Sequence, residues 1–234
     1  MRPRVCVTLA VMPAIKTKAK ICGITNLEDA VAAADAGADF LGFIFWPRSK
    51  RAITTDVAGA ITHALRQRPD CPTLVGVFVD EPATVAASVL DSCLLDLAQL
   101  SGGEPLAQIN DLQSPLYGRC FKVIRPTSHA EAEAEAAYYV PPKWEPDRPS
   151  LLLDAYHPQL PGGSGLRADW EVAASIAQKL PGIMLAGGLT PKNVTQAIQR
   201  VRPFAVDVAS GVEASPGRKD PALVAAFISE VHSA

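Results

Sequence analysis

The sequence predicts a single (β/α)8 barrel of the α/β class. The chain has 234 residues, and short apolar runs alternate with longer helical patterns along it. This length is ordinary for one α/β barrel. Because the short runs are apolar almost throughout, they are typical of parallel strands that are buried on both faces. Eight strand–helix units can be counted, and eight parallel units in a chain of this size indicate a closed barrel.

The predicted strands are bounded by turn-forming residues. They lie at 19–23, 40–45, 73–79, 95–101, 120–126, 151–156, 183–188 and 205–211. The main structural competitor is a doubly wound open sheet, which would usually have fewer units and a G-x-G-x-x-G motif after its first strand. That motif is absent here. We therefore favour one barrel domain over residues 18–234.

Residues 1–17 are predicted to be an N-terminal leader outside the barrel. The stretch "MRPRVCVTLAVMPAIK" has two arginines and then a short apolar run, which faintly resembles a secretion signal. Pro13 interrupts that run, and no convincing cleavage site of small residues follows. We interpret the stretch as an extra leader, or as an upstream start with Met12 as the working one.

A helical pattern follows each predicted strand. The patterns cover 26–38, 54–67, 83–93, 104–112, 129–140 and 168–180, and two more begin at 191 and 221. Thr25 and Glu28 form an S/T-x-x-E capping box before the first helix. The pairs Thr190-Pro191 and Asp220-Pro221 each place an N-cap residue before a proline at the first helical position.

Composition excludes several classes of partner and cofactor. A net charge of −2 and a pI of about 6.1 favour neither a nucleic acid nor a membrane surface. No apolar stretch is long enough for a membrane span. The five cysteines contain no C-x-x-C, and no two of the four histidines are spaced as metal ligands. We therefore expect no disulfide framework, no metal site and a reducing, cytoplasmic environment.

Small residues follow three consecutive strands at the end of the barrel where active sites lie. The loops are "PGGSG" after strand six, "AGGL" after strand seven and "ASGVE" after strand eight. Small residues let backbone N–H groups approach an anion closely. We therefore predict a phosphate site and a small phosphorylated substrate. Its candidates are Gly187, Gly188, Ser210 and Gly211, with Gly163, Ser164 and Gly165 as further candidates.

Two residues at strand ends could transfer protons. Cys22 ends strand one, directly before a helix start whose amides favour a thiolate. The alternative is a buried cysteine that packs as a small apolar group. Asp154 ends the apolar strand "LLLDAY", where partial burial could keep a proton available. The alternative is a structural aspartate bonded to a neighbouring loop.

Two further residues could bind a ligand. Arg51 follows strand two in "FWPRSKR" and could clamp a carboxylate through two hydrogen bonds, whereas Arg48 reads as part of a solvated loop. Asp207 lies in "AVDVAS" among apolar neighbours, where an unbonded acid would be costly. It could orient a ligand hydroxyl, or it could tie two strands together.

These residues fall within motifs that resemble the phosphoribosylanthranilate isomerase family over about residues 20 to 227. The matching stretches are "KICGIT", "GADFLGFIFWPRSKR", "VGVFVD", "LLLDAY", "GGSG", "DW", "LAGGLTPKNV" and "RPFAVDVASGVEASPGRKD". The first and last of these are highly specific together. The resemblance implies a (β/α)8 barrel that needs no metal or organic cofactor and acts in tryptophan biosynthesis. The sequence leaves open whether the protein is a monomer or a homodimer.

The resemblance also implies a role for each site residue. Cys22 would be the general base and Asp154 the general acid of an Amadori rearrangement of N-(5-phosphoribosyl)anthranilate. Arg51 would bind the anthranilate carboxylate, Asp207 would contact the substrate, and the loops at Gly188 and Ser210 would bind its phosphate. The reaction turns an aminoaldose into an aminoketose.

One departure and two alternatives accompany this resemblance. The family usually has "QLHG" after strand four, whereas this chain has "QLSGGE", with Ser101 in place of the histidine. A difference in substrate orientation or rate is expected there. The related isomerase of histidine biosynthesis has an aspartate base and two phosphate sites, so Cys22 argues against it, although activity on both substrates is left open. A non-catalytic phosphosugar-binding barrel is disfavoured because Cys22 and Asp154 are both present.

Overall fold

The computed structural model describes residues 16–126, 128–141, 145–154 and 165–234, the last range without the side chains of 165–169. Residues 1–15 of the predicted leader, and Gly163 and Ser164 of the third glycine-rich loop, therefore lie outside the described residues. No helix within the described ranges combines the length and the apolar character that a membrane crossing requires.

Eight parallel strands close into a barrel in which each strand pairs with the next and the last pairs with the first. The predicted fold class is therefore confirmed. Each strand falls on one of the predicted apolar runs. The strands are β1 (Lys18–Cys22), β2 (Phe40–Ile44), β3 (Thr73–Phe78), β4 (Leu97–Leu100), β5 (Cys120–Ile124), β6 (Leu151–Asp154), β7 (Ile183–Ala186) and β8 (Ala205–Val208).

One helix follows each strand within the described residues. The helices are α1 (Leu27–Asp35), α2 (Thr55–Arg66), α3 (Ala83–Ser92), α4 (Ala107–Asn110), α5 (His129–Tyr139), α6 (Gly165–Lys179), α7 (Val194–Val201) and α8 (Pro221–Ser233). Gly165, predicted as a loop glycine, is the first residue of α6. Between β8 and α8 the chain also forms a 3₁₀ turn and a small antiparallel hairpin of β9 (Glu213–Ser215) and β10 (Arg218–Lys219).

The fourth helix is shorter than the sequence pattern predicted, because Glu104 is used elsewhere. The Glu104 carboxylate is buried, forms an ion pair with Lys122 of β5 at 3.0 Å, and accepts hydrogen bonds from the amides of Asp80 and Gly102. These contacts hold the loop after β4 against the loop after β3. Residues 104–106 therefore belong to the loop, and α4 begins at Ala107.

Side chains alternate between the inside of the barrel and the layer under the helices. The interior is filled mainly by apolar groups, namely Phe40, Val75, Leu97, Phe121, Val123, Leu152, Met184, Ala186, Phe204 and Ala205. Outward residues such as Ile21 and Leu41 pack in the larger cluster under the helices. Because residues two apart on a strand share a face, Lys20 and Cys22 of β1 point the same way. Lys20 meets Gln99 of β4 and Asp207 of β8, so these three interior residues are polar.

The helix caps differ from the sequence prediction at two of three positions. At α1 the N-cap is Asn26, whose Oδ1 accepts from the amide of Asp29 at 2.9 Å, whereas the Thr25 hydroxyl donates to the Gly217 carbonyl. At α7 the helix begins at Val194, because residues 190–193 form a turn first. The prediction was right at α8, where the Asp220 carboxylate caps the helix before Pro221.

Removing the α8 cap is expected to destabilise the fold without touching the rim. The Asp220 Oδ1 accepts hydrogen bonds from the amides of Ala222 and Leu223. Asp220→Ala leaves both amides without this acceptor and is expected to lower the free energy of unfolding by about 1 kcal/mol. Urea denaturation measures the change. Asp220→Asn is the matched control, because asparagine caps about as well as aspartate. Equal stability of the alanine and asparagine variants would contradict the capping role.

Candidate active site

The four predicted side chains for proton transfer and ligand binding, Cys22, Arg51, Asp154 and Asp207, lie at one end of the barrel. Cys22 and Asp154 are the last residues of β1 and β6, and Asp207 lies one residue before the end of β8. Arg51 lies in the loop after β2. Because all eight strands are parallel, their carboxyl ends meet at the same rim.

A cavity of about 370 Å³ opens at this rim beside β6, β7 and β8. It is lined by Asp154, Ala186, Gly187, Gly188, Leu189, Asp207, Val208, Ala209, Ser210 and Gly211. The cavity therefore joins the predicted acid to both glycine loops that the described residues include. Its volume falls in the range of small-molecule sites.

The two glycine loops are shaped by close contact with each other. Gly187 and Gly188 have φ values of 103° and 63°, which residues with side chains rarely adopt. A Cβ at Gly211 would lie 1.9 Å from the Leu189 carbonyl oxygen, so only glycine fits there. The Asn193 side-chain amide donates to the Gly188 carbonyl at 3.0 Å and fixes the first loop. The loops thus present small residues on both sides of the cavity.

The Cys22 thiol is buried, with 5% of the residue exposed. Burial raises the pKa of the thiol above its ordinary value, and the nearby ammonium groups of Lys20 and Lys219 only partly offset this. The prediction that the amides of a helix start stabilise the Cys22 thiolate was wrong. The amides of Gly23 and Ile24 both donate to the Gly42 carbonyl, and α1 begins only at Leu27. Cations, not helix amides, oppose the effect of burial here.

Lys20 is a fully buried cation inside the barrel, and the sequence interpretation gave it no role. Its ammonium group donates to Gln99 Oε1 at 2.7 Å and to Asp207 Oδ1 at 2.9 Å. Burial acts to lower the pKa of Lys20, but the charges of Asp207 and Cys22 outweigh it and leave the pKa raised. Asp207 therefore connects β8 to β1, which is one of the two roles that the sequence predicted for it. Asp207 also lines the cavity.

The Asp154 carboxylate contacts a neighbouring arginine. Arg125, just after β5, donates from Nε to Asp154 Oδ2 at 3.3 Å and from Nη1 to the Ser101 carbonyl at 3.1 Å. The Ser101 hydroxyl in turn accepts from the Gln99 side-chain amide at 3.3 Å. Ser101, which replaces the expected histidine, thus accepts the last hydrogen bond of a chain that runs from Lys20 through Gln99. Arg125 then connects the Ser101 carbonyl to Asp154.

Arg51 is held in place by a carboxylate of the hairpin after β8. Its Nε and Nη2 atoms each donate to Glu213 at 2.7 Å, one to each carboxylate oxygen. Lys219 of the same hairpin donates from Nζ to Glu213 at 3.1 Å, to the Cys22 carbonyl at 2.7 Å and to the Ala209 carbonyl at 3.0 Å. Glu213 and Lys219 stood in a quoted motif, but no local pattern could show that they reach Arg51 and Cys22.

The site offers proton-transfer groups and anion contacts but no metal centre among the described residues. No group of three histidine, cysteine, aspartate or glutamate side chains is placed to hold a metal ion in the part of the chain that the structure describes. A carboxyl group and two small-residue loops line the cavity, whereas the Cys22 thiol and Arg51 lie at the same rim outside its lining. This arrangement suits acid–base chemistry on a small anionic substrate.

Comparison with known proteins identifies one family over most of this chain. Residues 19–230 match the family model described as N-(5'phosphoribosyl)anthranilate (PRA) isomerase. The N-(5'-phosphoribosyl)anthranilate isomerase of Geobacter sp. (strain M21) is 46% identical over 215 residues, which cover 92% of this chain and 97% of that relative.

Two solved structures share the fold over nearly the whole chain. One shows mutually generated monomers of dimeric phosphoribosylanthranilate isomerase from Thermotoga maritima, with 35% identity and a TM-score of 0.76, covering 93% of this chain and 100% of that one. The other is phosphoribosylanthranilate isomerase in complex with reduced 1-(o-carboxyphenylamino)-1-deoxyribulose 5-phosphate, with the same identity, TM-score and coverage. The chain belongs to the N-(5'-phosphoribosyl)anthranilate isomerase family.

Proposed function

We propose that Cys22 and Asp154 are the general base and general acid with which this isomerase of tryptophan biosynthesis acts. The reaction converts N-(5-phosphoribosyl)anthranilate to 1-(2-carboxyphenylamino)-1-deoxyribulose 5-phosphate, the third step from chorismate. One observation carries the proposal: a thiol and a carboxyl group end β1 and β6 on the rim that also bears both glycine loops. The reaction consists of proton transfers within one molecule, so no cofactor is proposed.

Ring opening comes first in the proposed mechanism. Asp154 in its protonated form gives a proton to the ribose ring oxygen while the bond from that oxygen to C1′ breaks. The anilino nitrogen supplies the electron pair, which leaves a protonated Schiff base and an Asp154 carboxylate. Asp154 lines the cavity directly, so its carboxyl group can reach a sugar bound there.

Proton removal from C2′ follows. The iminium group acidifies that hydrogen, and the Cys22 thiolate removes it to give an enolamine, which then tautomerises to the ketone. A thiolate suits this step because it is a stronger base than a carboxylate. The ammonium groups of Lys20 and Lys219 stabilise the thiolate and partly offset the effect of burial. The catalytic contribution of each proton-transfer group is about 10²–10⁴-fold.

The remaining predicted residues hold the substrate in this proposal. The loops at Gly187–Gly188 and Ser210–Gly211 bind the phosphate through backbone amides, and Asp207 orients a sugar hydroxyl. Arg51 binds the anthranilate carboxylate. Residues 163–165 keep their prediction as further phosphate contacts, because 163 and 164 lie outside the described residues.

Turnover of the synthetic substrate tests the function directly. We expect the purified chain to remove the fluorescence of N-(5-phosphoribosyl)anthranilate and to form the aminoketose. The phosphoribosyl substrate of the histidine pathway, assayed in parallel, shows whether a second substrate is accepted. Tight binding of the reduced product analogue without any turnover would instead indicate a non-catalytic phosphosugar-binding barrel.

Loss of the Arg51 charge is expected to weaken substrate binding more than it slows the chemistry. A hydrogen bond between charged groups contributes about 1.5–3 kcal/mol, so Arg51→Met is expected to raise KM by at least about tenfold. Steady-state kinetics measures KM and kcat separately. Arg48→Met is the matched control, because Arg48 is an exposed arginine of the same loop. A KM unchanged from the unmodified chain would contradict the role of Arg51.

We propose further that the barrel domain covers residues 18–234, that residues 1–17 are a leader, and that the protein is cytoplasmic. The cysteines within the described residues are all free, which suits a reducing compartment.

As partners we propose the phosphorylated substrate and, at most, a second copy of the chain, because the Thermotoga maritima relative is named as dimeric and has been solved as monomers. Light scattering distinguishes monomer from homodimer, and intact mass of the native protein tests the leader.

A further inference from the structure

Glu213 is a buried carboxylate that the proposed reaction does not use. It begins β9, and only 4% of its side chain is exposed. Both oxygens bind Arg51, because Nε donates to Oε1 and Nη2 donates to Oε2, each at 2.7 Å. This is the two-point arrangement in which arginine binds a carboxylate most specifically. Glu213 therefore fixes both the position and the plane of the guanidinium group.

The arrangement leaves three of the five guanidinium donors for another ligand. An arginine has five N–H donors in a fixed plane, and Glu213 takes the two on the side of Nε. Nη1 and the second hydrogen of Nη2 remain on the end of the group, where they form an equivalent pair. Arg51 Nη1 makes no hydrogen bond within the described residues. A second carboxylate can therefore bind end-on without displacing Glu213.

Lys219 keeps the cluster positive. Its ammonium group is buried and lies 3.1 Å from Glu213 Oε1, so one carboxylate stands between two cations. Burial acts to raise the pKa of Glu213, but the hydrogen bond from Arg51 and the charge of Lys219 outweigh it and lower the pKa. Glu213 is therefore ionised at neutral pH. With Lys219 in its ammonium form, one positive charge is left over and matches one incoming carboxylate, although burial lowers the pKa of Lys219.

We propose that Glu213 is a positioning residue that presents the free end of Arg51 to the carboxylate of the substrate. The proposal rests on the proposed function of Arg51 and adds to it the group that aims the arginine. Lys219 joins this cluster to the Cys22 carbonyl, so the same hairpin sets the carboxylate contact and the end of the strand that bears the base. The hairpin of β9 and β10 therefore sets the separation between the Arg51 guanidinium group and the end of β1 that bears Cys22.

The first test replaces the carboxylate with an amide of the same shape. Glu213→Gln turns one acceptor oxygen into a donor that faces Arg51, so the guanidinium loses its two-point support. We expect KM for N-(5-phosphoribosyl)anthranilate to rise about tenfold, with a much smaller change in kcat. Glu28→Gln is the matched control, because this carboxylate also contacts the hairpin, through Arg218, but is 78% exposed. An unchanged KM in Glu213→Gln would overturn the proposal.

A second variant separates the effect of the two-point contact from the effect of the negative charge, and it shows whether the glutamine variant has a folding defect. Glu213→Asp keeps the negative charge beside Lys219 but is too short by one methylene for the two-point contact. We expect thermal unfolding near that of the unmodified chain and a KM that is still raised. If the aspartate variant had a normal KM, charge alone would account for the glutamine result, and the positioning role would fail.

A double-mutant cycle shows whether Glu213 acts through Arg51. If it does, Arg51→Met and Glu213→Gln together raise KM no more than Arg51→Met alone. Additive effects would overturn the proposal. The cycle also distinguishes the two failures: a normal KM in Arg51→Met refutes the function proposed for Arg51, whereas a raised KM there with a normal KM in Glu213→Gln refutes only the inference about Glu213.

Discussion

Replacing Cys22 with alanine is expected to lower kcat by about 10²–10⁴-fold, the usual contribution of a well-placed general base. Alanine removes the thiol and leaves nothing in that position to take the C2′ proton. Cys22→Ser is the matched variant, because a hydroxyl fills nearly the same space but is far less acidic than a thiol. Both variants should keep the fold, which circular dichroism checks. Near-normal turnover in either variant would refute the role of Cys22.

The pH dependence of kcat/KM gives a second test of Cys22 as the general base. A general base must lose its proton, so activity rises with pH as the thiol ionises in the free enzyme. Because burial raises the pKa of Cys22, this rise is expected above the ordinary cysteine value of about 8.5. The rise should disappear in Cys22→Ser. A rise centred well below that value would show that another group is the base.

Replacing Asp154 with asparagine is expected to lower kcat by a similar factor for a different reason. The amide has almost the same shape as the carboxyl group but cannot give a proton to the ring oxygen. Since Asp154 lines the cavity without closing it, the variant should still bind the reduced product analogue. Loss of turnover with retained binding is the expected pair of results. Near-normal turnover would contradict the role of Asp154 as the acid.

Deuterium at C2′ distinguishes the steps that the two residues serve. If Cys22 removes the C2′ hydrogen, weakening that step in Cys22→Ser makes it rate-limiting and increases the isotope effect on kcat. If Asp154 opens the ring, Asp154→Asn makes ring opening rate-limiting and suppresses the effect. The opposite pattern would exchange the two assignments.

The barrel could be predicted from sequence because its evidence is local. A strand buried on both faces appears as a continuous apolar run, and all eight runs became strands. Where local signals compete, the prediction was less accurate. Thr25 satisfies a capping pattern but bonds to Gly217 instead, and Glu104 favours a helix but is drawn into an ion pair with Lys122. Tertiary contacts decided both cases.

The rim residues could be predicted for a topological reason, and their partners could not. Once the strands are known to be parallel, Cys22 and Asp154 must share a rim, wherever they lie along the chain. Which side chains touch is a different question. Lys20 and Asp207 are 187 residues apart, and Arg51 and Glu213 are 162 apart. Sequence patterns are recognised over short stretches, and no short stretch contains both members of either pair. The ion pairs of the site are therefore seen only in the structure.

The hydrogen bonds between Lys20 and Asp207 and between Lys219 and Cys22 lie where the first and last strands of the barrel meet. Contacts between residues so distant in sequence carry the greatest loop-closure entropy and raise the contact order of the fold. Of the two ammonium groups that favour the thiolate, Lys20 lies on β1 beside Cys22, whereas Lys219 reaches Cys22 only when the ring closes. A refolding molecule that has built seven neighbouring pairs of strands, but not the pair of β1 with β8, has its acid in place, but its base lacks Lys219 and Lys20 lacks Asp207. Recovery of activity during refolding is therefore expected to require that β1 and β8 have paired.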